Sequence, residues 1–470
     1  MMTATTTSVS DTTWKLGSAA VILAFALDPL GNVAGAAALV VVIVASLQVF
    51  LMRRKDDTTN FLLIALTAII VIIAALEILN PNVPSVTVGL LGFRKTATFL
   101  LGLAIGLGWR GSRIQGLRLT WWCMFATASV SLVIHLVFPA IEESIPRNAD
   151  KYTALISGMV RMQGVLAGPF HVSMLGVFLV LSALAPGIVI KSRWVRLTAA
   201  VVGSLCVYFA EVRTGLVALA VGALVMMLIT GSARRWVNRL ILLAAFGILG
   251  VIYIEPLTEY ARQSVGFRRL LDAGLDDTRF TGRFTTWSTS LDMIDRSPFL
   301  GSGSGSAGDT LGQYFAAGDR VTSHNTFLKY AVEGGIFQGL LFASLCIGLA
   351  LAVRPSRDST RFGAAAGLTF LCFALVSAAP EALPISLGLA ITVGLCAHGA
   401  AETTVPEALG SRKRRGERER PGRQASYSAA YRQAQRGATS QAPPTQAKRC
   451  LNENGHITVT KHDLAPPISS

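Results

Sequence analysis

The chain alternates between long apolar runs and short polar clusters over most of its length. Twelve apolar runs can be drawn. They cover about Leu16–Leu27, Ala34–Met52, Phe61–Leu79, Val88–Trp109, Leu119–Ile141, Phe170–Ile190, Leu197–Ala210, Leu216–Ile229, Leu240–Ile254, Phe327–Val353, Phe362–Ala379 and Ile385–Ala397. A helix needs about 20 residues to cross a bilayer, so the shorter runs must include flanking residues. The pattern predicts an all-α polytopic integral membrane protein with about twelve transmembrane helices.

Basic residues follow every second run, beginning with Arg53-Arg54-Lys55, and they recur after the last run. Because Lys and Arg accumulate on the cytoplasmic side, this spacing predicts that both termini are cytoplasmic. The long polar segment, about residues 255–325, then forms a large extracytoplasmic loop between the ninth and tenth helices. We predict a transmembrane domain over 1–400 and a disordered basic cytoplasmic tail over 401–470, whose hydrophobicity is too low to order a core.

Composition supports the same class. Of 470 residues, 52% are hydrophobic and 15% charged, whereas a soluble domain carries about 25% charged residues. The net charge of +15 would also fit a nucleic-acid binder, but the basic residues stand at the ends of apolar runs and in the tail. We therefore expect no nucleic-acid partner. The six cysteines show neither disulfide nor metal-binding spacing, and we expect no metal and no cofactor.

Polar side chains that could support chemistry lie mainly in the large loop. Arg279 and Arg283 stand there, although an arginine in a loop is most often a solvated surface residue. Arg213 lies beside Glu211 between two apolar runs, and it could equally be a snorkelling arginine paired with that glutamate. His324 precedes the tenth run, and a lone histidine is usually structural.

Residues 300–306, called here the Gly-Ser loop, read LGSGSGS. A phosphate-binding P-loop would need a Lys followed by Ser or Thr, and a dinucleotide-binding loop would need a preceding strand. Neither is present in the sequence. The spacing alone predicts a flexible turn.

The loop motifs follow one another in a specific order. They are Gly282-Arg283, Trp287, Pro298, Gly301-x-Gly303, His324-Asn325 and Glu333-Gly334-Gly335. In this order they resemble the bacterial O-antigen ligase and O-antigen polymerase family, over about residues 200–345. Arg213 matches an arginine that the family carries at a helix end before the large loop. The resemblance implies a GT-C-like helical fold in the bacterial cytoplasmic (inner) membrane, multi-pass, with the active site facing outward.

The resemblance also implies a glycosyltransferase. Such an enzyme moves or polymerises glycan units from undecaprenyl-diphosphate carriers, in O-antigen, exopolysaccharide or cell-surface polysaccharide assembly. The lipid-linked oligosaccharide donor leaves a diphosphate, which arginine binds bidentately, so Arg213 and Arg283 are candidate catalytic clamps. A histidine with a pKa near about 6.5 suits removal of a proton from the glycan or lipid acceptor, which makes His324 the candidate base. The remaining candidates, for substrate binding, are Arg279, Trp287, Asn325 and Glu211.

Two other classes remain open. A secondary transporter of a polar or anionic solute also often has about twelve helices, with internal repeats and ionisable residues at mid-membrane. The sequence shows no clear repeat, and His135 is the only plain mid-span ionisable residue. A membrane scaffold would leave the motifs between Arg283 and Gly335 unexplained. The shared donor motifs do not distinguish a ligase from a polymerase or a protein glycosyltransferase.

Overall fold

A computed structural model of the chain describes residues 5–27, 32–51, 58–109, 112–144, 161–185, 189–229, 278–308, 311, 314–316, 318–353 and 358–397. The described chain is helical and contains no strand. Its helices are α1 (Thr5–Leu27), α2 (Asn32–Leu51), α3 (Thr58–Leu76), α4 (Val86–Leu107), α5 (Arg113–Val137), α6 (Pro139–Ser144), α7 (Pro169–Leu184), α8 (Arg193–Ala210), α9 (Arg213–Ile229), α10 (Thr278–Arg296), α11 (Thr326–Ala352), α12 (Asp358–Ala374) and α13 (Ile385–Ala397). Two short 3-10 turns cover Glu77–Leu79 and Ala379–Glu381.

The helices follow the hydropathy pattern closely. Eleven of the twelve predicted runs coincide with helices, and the ninth, Leu240–Ile254, lies outside the described residues. Five described helices are long and apolar enough to cross a membrane: Phe61–Leu79, Val86–Leu107, Arg113–Val137, Arg193–Ala210 and Thr326–Ala352. The prediction of an all-α membrane protein is therefore confirmed. The count of twelve spans and the GT-C likeness stay predictions, as does the tail over 401–470, which lies outside the described residues.

Glycines allow pairs of helices to cross at close range in the core. Gly106 of α4 lies against α13, where a Cβ would come within 2.5 Å of the Ile391 carbonyl oxygen. Gly176 of α7 and Gly203 of α8 face each other in the same way, and a Cβ on either would lie 2.6 Å from the carbonyl oxygen of the other. Such close backbone approach favours helix association in an apolar solvent, where burial of apolar surface adds little.

The large polar segment contains a helix that the hydropathy pattern did not assign. Helix α10 is amphipathic, so its mean hydropathy does not distinguish it from a loop. Its apolar residues Met293 and Ile294 are buried together with Val321 and Val332. Because Val332 belongs to α11, helix α10 packs against the first half of α11.

Contacts between distant parts of the chain join several connections at one end of the helix bundle. The Asn80 side chain, between α3 and α4, donates a 3.1 Å hydrogen bond to the Gly301 carbonyl in the Gly-Ser loop. The Thr326 hydroxyl, at the start of α11, donates a 2.8 Å hydrogen bond to the Ser377 carbonyl after α12. The α3–α4, α10–α11 and α12–α13 connections therefore form one contiguous region.

Candidate functional site

The Gly-Ser loop is docked on α11 through its backbone. The Ser302 N–H donates to the Val332 carbonyl at 2.7 Å, and the Gly303 N–H donates to the Glu333 carbonyl at 2.9 Å. Helix α11 offers these carbonyls because it is interrupted at Gly334-Gly335. The loop residues from 301 to 308 are buried. The prediction of a turn is confirmed at residues 304–307. The sequence did not predict that the loop is buried against α11, where glycine permits close backbone contact with a helix.

Gly335 makes the interruption of α11 possible. Its φ of 81° lies in the left-handed region, where a side chain is strained. A Cβ at this position would also come within 2.6 Å of the Phe299 carbonyl oxygen. The Ile336 N–H donates instead to the Pro298 carbonyl at 2.8 Å. The loop thus satisfies backbone groups that the interrupted helix leaves free, and loop and kink stabilise each other.

A buried group of charged and polar side chains, called here the Lys329 cluster, lies beside the docked loop. Lys329 is 0% exposed, and its Nζ lies 2.5 Å from Glu333 Oε1 and 3.0 Å from Glu381 Oε1. The Thr96 hydroxyl of α4 donates to Glu333 Oε2 at 2.7 Å, and the Gly305 N–H donates to Glu333 Oε1 at 3.1 Å. Buried charges persist only when they are paired and hydrogen-bonded. These contacts therefore depend on one another.

A third carboxyl group, that of Glu77, borders the Lys329 cluster. Glu77 is 4% exposed, and its backbone carbonyl accepts a 3.3 Å hydrogen bond from the Ser304 N–H. A Cβ at Gly334 would overlap both the Glu77 carboxyl and the Gln338 amide. The absence of a side chain at Gly334 thus makes room for both groups beside the kink.

His324 and Asn325 define the start of α11. The His324 backbone is left-handed, with φ 46°, which is uncommon for a residue other than glycine. Asn325 is the N-cap: its Oδ1 accepts from the N–H groups of Phe327 (2.9 Å) and Leu328 (3.1 Å), and its Nδ2 donates to the Leu375 carbonyl at 3.1 Å. The structure thus gives the Asn325 side chain a capping role, while its contact with substrate stays a prediction. The cap fixes where α11 begins, and with it the position of His324.

Helix α10 carries the arginine and the tryptophan of the motif one turn apart. Arg283 and Trp287 are both half-buried and lie on one face of the helix, as the spacing i, i+4 requires. The Trp287 ring makes an edge contact with Phe284, with the ring centroids 5.5 Å apart. Arg279 is in the first turn of the same helix, but its side chain lies outside the described ones. The structure thus places Arg283 and Trp287 together on one face of α10.

Arg213 and Glu211 lie at the tight turn between α8 and α9. Glu211 ends α8 in the left-handed conformation, with φ 50°, and Arg213 is the first residue of α9. The turn is held by Arg161, whose Nε and Nη2 donate to the carbonyls of Ala210 (3.1 Å) and Glu211 (3.3 Å). Arg213 therefore adds its cationic side chain to the positive end of the helix dipole, where an anion is favoured.

Helix α7 connects this turn with the Lys329 cluster. Near the start of α7, Ser173 lies against Gly215 of α9, and His171 lies beside Glu381. The Arg213 turn and the cluster are therefore neighbours through the first turns of one helix. Arg283 and Trp287 approach the same end of the bundle by the separate contact of α10 with α11.

His135 lies near the end of its helix and not in the middle of a span, which corrects the placement predicted from the sequence. Helix α5 ends at Val137, and His135 lies in its last turn, with Nδ1 2.7 Å from Glu142 Oε2. The other carboxylate oxygen of Glu142 accepts from the N–H groups of Gln163 and Gly164, both at 2.6 Å. Burial raises the pKa of Glu142, but the hydrogen bonds from His135 and from the two backbone N–H groups together outweigh it and lower that pKa.

The sequence did not single out the side chains of Lys329, Glu333 or Glu381. Glu333 enters the sequence prediction only as part of the motif Glu333-Gly334-Gly335. The sequence does contain a sign of this pair, because Lys329 and Glu333 are oppositely charged and spaced i, i+4 within an apolar run. Ionisable side chains inside a membrane span cost free energy, so a pair of them there indicates a functional or structural role. The partner Glu381 lies in a different connection, and no local pattern links it to Lys329.

The fold and this site define a multi-pass helical membrane protein. Its Gly-Ser loop is docked on a helix, and arginine and histidine residues lie at one end of the helix bundle. The model of the O-antigen ligase family matches residues 198–343, a range that begins within α8 and ends within α11. This match, over less than half of the chain, agrees with the resemblance that the motifs predicted. A glycosyltransferase-type enzyme of polysaccharide assembly is what that family implies. No curated protein matches the chain significantly.

Proposed function

We propose that the chain transfers or polymerises glycan units from an undecaprenyl-diphosphate carrier at the outer face of the cytoplasmic membrane. The observation that carries the proposal is the position of His324. It lies within the family match, in a left-handed conformation between the docked Gly-Ser loop and the capped start of α11. A strained backbone that the surrounding structure holds in place is typical of functional sites.

The chemistry requires a cation and a base. The acceptor hydroxyl oxygen forms a bond to the anomeric carbon, the bond from that carbon to the diphosphate breaks, and the diphosphate leaves with the electron pair. Arg213 and Arg283 would hold the diphosphate oxygens as its charge grows, and His324 would take the hydroxyl proton. No general acid is needed, because the diphosphate is already a stable anion. Arg279, Trp287, Glu211 and Asn325 would contact the donor or the acceptor.

A secondary transporter is the second candidate, since the Lys329–Glu333 pair places ionisable side chains inside a span, as transporters often do. Here, however, Lys329 and Glu333 contact each other and fixed partners on α4 and in the Gly-Ser loop. Such fixed contacts fit a structural role for the pair. In a transporter, ionisable side chains must change partners or protonation during transport.

The test uses purified full-length protein in vesicles with a radiolabelled glycan linked to undecaprenyl diphosphate. Three acceptors are offered in parallel: a lipid A core, a second lipid-linked unit and a peptide. Glycan transfer to one of them, with release of undecaprenyl diphosphate, supports the proposal and identifies the acceptor. Movement of the intact lipid-linked glycan or of a solute, without cleavage of the diphosphate bond, would support a transporter instead.

A further inference from the structure

The Lys329 ammonium joins two parts of the chain, helix α11 and the turn before α13. Lys329 lies in the first turns of α11, Glu333 one turn further along the same helix, and Glu381 in the 3-10 turn Ala379–Glu381 before α13. The ammonium contacts both carboxylates, at 2.5 Å and 3.0 Å. All three side chains are buried or nearly so, so water does not screen these attractions.

The two residues that carry these carboxylates are joined to different segments of the chain. Glu333 Oε1 accepts the Gly305 N–H, which fixes the Gly-Ser loop, and its Oε2 accepts the Thr96 hydroxyl of α4. The turn that carries Glu381 is joined to the first residue of α11, because the Ala379 N–H donates to the Thr326 hydroxyl at 3.1 Å. The start of α11, where His324 stands, is therefore held between the loop and this turn.

We propose that Lys329 is a positioning residue of the transfer site, whose ammonium holds the Gly-Ser loop and the Ala379–Glu381 turn against the start of α11 and thereby fixes His324. This inference rests on the proposed function only for the step from position to catalysis. Without the ammonium, two buried carboxylates would face each other with no cation between them. They would then move apart, or one would take up a proton.

Other titratable groups face this pair from the helices packed around it. Glu77 approaches from the end of the α3 region and adds a third carboxyl group. Tyr330 lies next to Lys329 on α11, and its hydroxyl donates to the Thr96 carbonyl at 2.9 Å. His171 of α7 lies beside Glu381 and also interacts with Lys95 of α4. Removal of Lys329 therefore leaves a surplus of acidic groups, which a lower pH would neutralise.

The first experiment compares Lys329→Met with the double variant Lys329→Met/Glu381→Gln. Methionine keeps much of the lysine volume, so packing alone would change little. We expect Lys329→Met to lower kcat by about 100-fold, as a displacement of about 1 Å in a catalytic group can do, with the donor KM nearly unchanged. The ratio of its kcat to that of the wild type should rise as the pH falls from 8 to 6. The double variant removes one of the two carboxylates that the ammonium contacts, so it should regain part of the activity and show a weaker dependence of the ratio on pH than Lys329→Met.

The second experiment does not depend on activity. In a background with all six cysteines replaced by alanine, Ser306→Cys places a thiol at a position that is 0% exposed in the docked loop. We expect a water-soluble maleimide to label this thiol at least about 10-fold faster when Lys329→Met is also present, because the loop then opens. Gln163→Cys, 0% exposed in the connection between α6 and α7 and outside the apolar runs, should remain protected in both proteins, which excludes general unfolding.

A folded Lys329→Met protein in which the thiol at position 306 stays protected and kcat is within about twofold of the wild type would overturn the inference. So would a ratio of rates that does not change with pH. If labelling of Ser306→Cys accelerates but the wild-type protein transfers no glycan to any acceptor, the holding role of Lys329 stands and the proposed function fails.

Discussion

Thr96 and Glu333 are joined by a buried 2.7 Å hydrogen bond from the threonine hydroxyl to the carboxylate, and this bond connects α4 with the kinked helix α11. The connection is double, because the Tyr330 hydroxyl donates to the Thr96 carbonyl at 2.9 Å. One residue of α4 therefore binds two successive turns of α11. The kink at Gly334-Gly335 lies directly after this connection, so α4 supports the part of α11 to which the Gly-Ser loop is docked.

We predict that Thr96→Val destabilises the protein by about 1–3 kcal/mol, because it removes a hydrogen bond to a buried carboxylate without changing the side-chain shape. Thr98→Val is the matched control. Within the described residues the Thr98 hydroxyl bonds to the Arg94 carbonyl of its own helix, so its loss should cost much less. Thermal unfolding of both variants in detergent measures the difference. Equal midpoints for the two variants would show that the bond to Glu333 adds no stability.

Much of this fold could be predicted from hydropathy because membrane-spanning helices are determined by local composition. Helix α3 and the 3-10 turn that follows it, for example, together cover the whole run Phe61–Leu79. Helix α10 was not predicted, because half of its surface is polar. The order of the Gly-Ser loop also could not be predicted. Its partners, such as Asn80 and Glu333, are distant in sequence, and glycine and serine by themselves favour turns.

Only part of the candidate site could be predicted from the sequence. Arg213, Arg283 and His324 could be predicted because the order of the motifs around them resembles that of a known family, and because their side chains suit diphosphate binding and proton removal. The sequence analysis assigned Asn325 to substrate binding and not to capping, although its position directly before an apolar helix is typical of a cap. The pairing of Lys329 with Glu381 depends on how α11 meets the turn before α13, and no pattern within either segment indicates it.

Asn325 should act first as a helix cap. We predict that Asn325→Ala lowers the free energy of unfolding by about 1 kcal/mol, since the N–H groups of Phe327 and Leu328 lose their acceptor. Asn325→Asp keeps that acceptor but loses the donor to the Leu375 carbonyl, so its stability should lie between alanine and wild type. Unfolding midpoints give this order. A donor KM that rises in the Asp variant, without a matching loss of stability, would show that the amide also contacts substrate.

The Glu142 carboxylate should make the free energy of unfolding depend on pH in the acid range. Its pKa is lowered in the folded protein, so its contribution is fully present above the unfolded value, near 4.5, and is lost as the pH falls through the folded value. We predict that Glu142→Gln is destabilised at pH 7 and that its deficit shrinks below about pH 4.5. Thermal unfolding of both proteins at pH 7 and at pH 4 tests this. A deficit that is the same at both values would show that packing, rather than charge, is responsible.

Arg283 should contribute through the geometry of its guanidinium as well as its charge. Arg283→Lys keeps the positive charge but cannot bind two diphosphate oxygens in parallel. We predict that the variant loses about 1–3 kcal/mol of donor stabilisation for each lost charged hydrogen bond, measured as a lower kcat/KM for the lipid-linked donor. Arg296→Lys on the last turn of α10 is the control, since Arg296 contacts only the Gly318 carbonyl among the hydrogen bonds described for it, at 3.4 Å. Equal activity of both variants would contradict a diphosphate clamp at Arg283.

His324 should be required for transfer but not for folding. We predict that His324→Ala abolishes glycan transfer in a membrane assay while the amount of protein is unchanged. Alanine is strained at φ 46°, so His324→Asn is the sharper variant, because asparagine tolerates the left-handed backbone. It should keep the unfolding midpoint of the wild type and still be inactive, since an amide cannot take the acceptor proton.

Two results would exclude the role of His324 as a base that faces the outside. The first is normal product length and amount with His324→Asn. The second concerns topology: in a cysteine-free background, His324→Cys should react with an impermeant thiol reagent added outside intact cells. Labelling only after the membrane is opened would put residue 324 on the cytoplasmic side, where it could not act on a donor presented at the outer face.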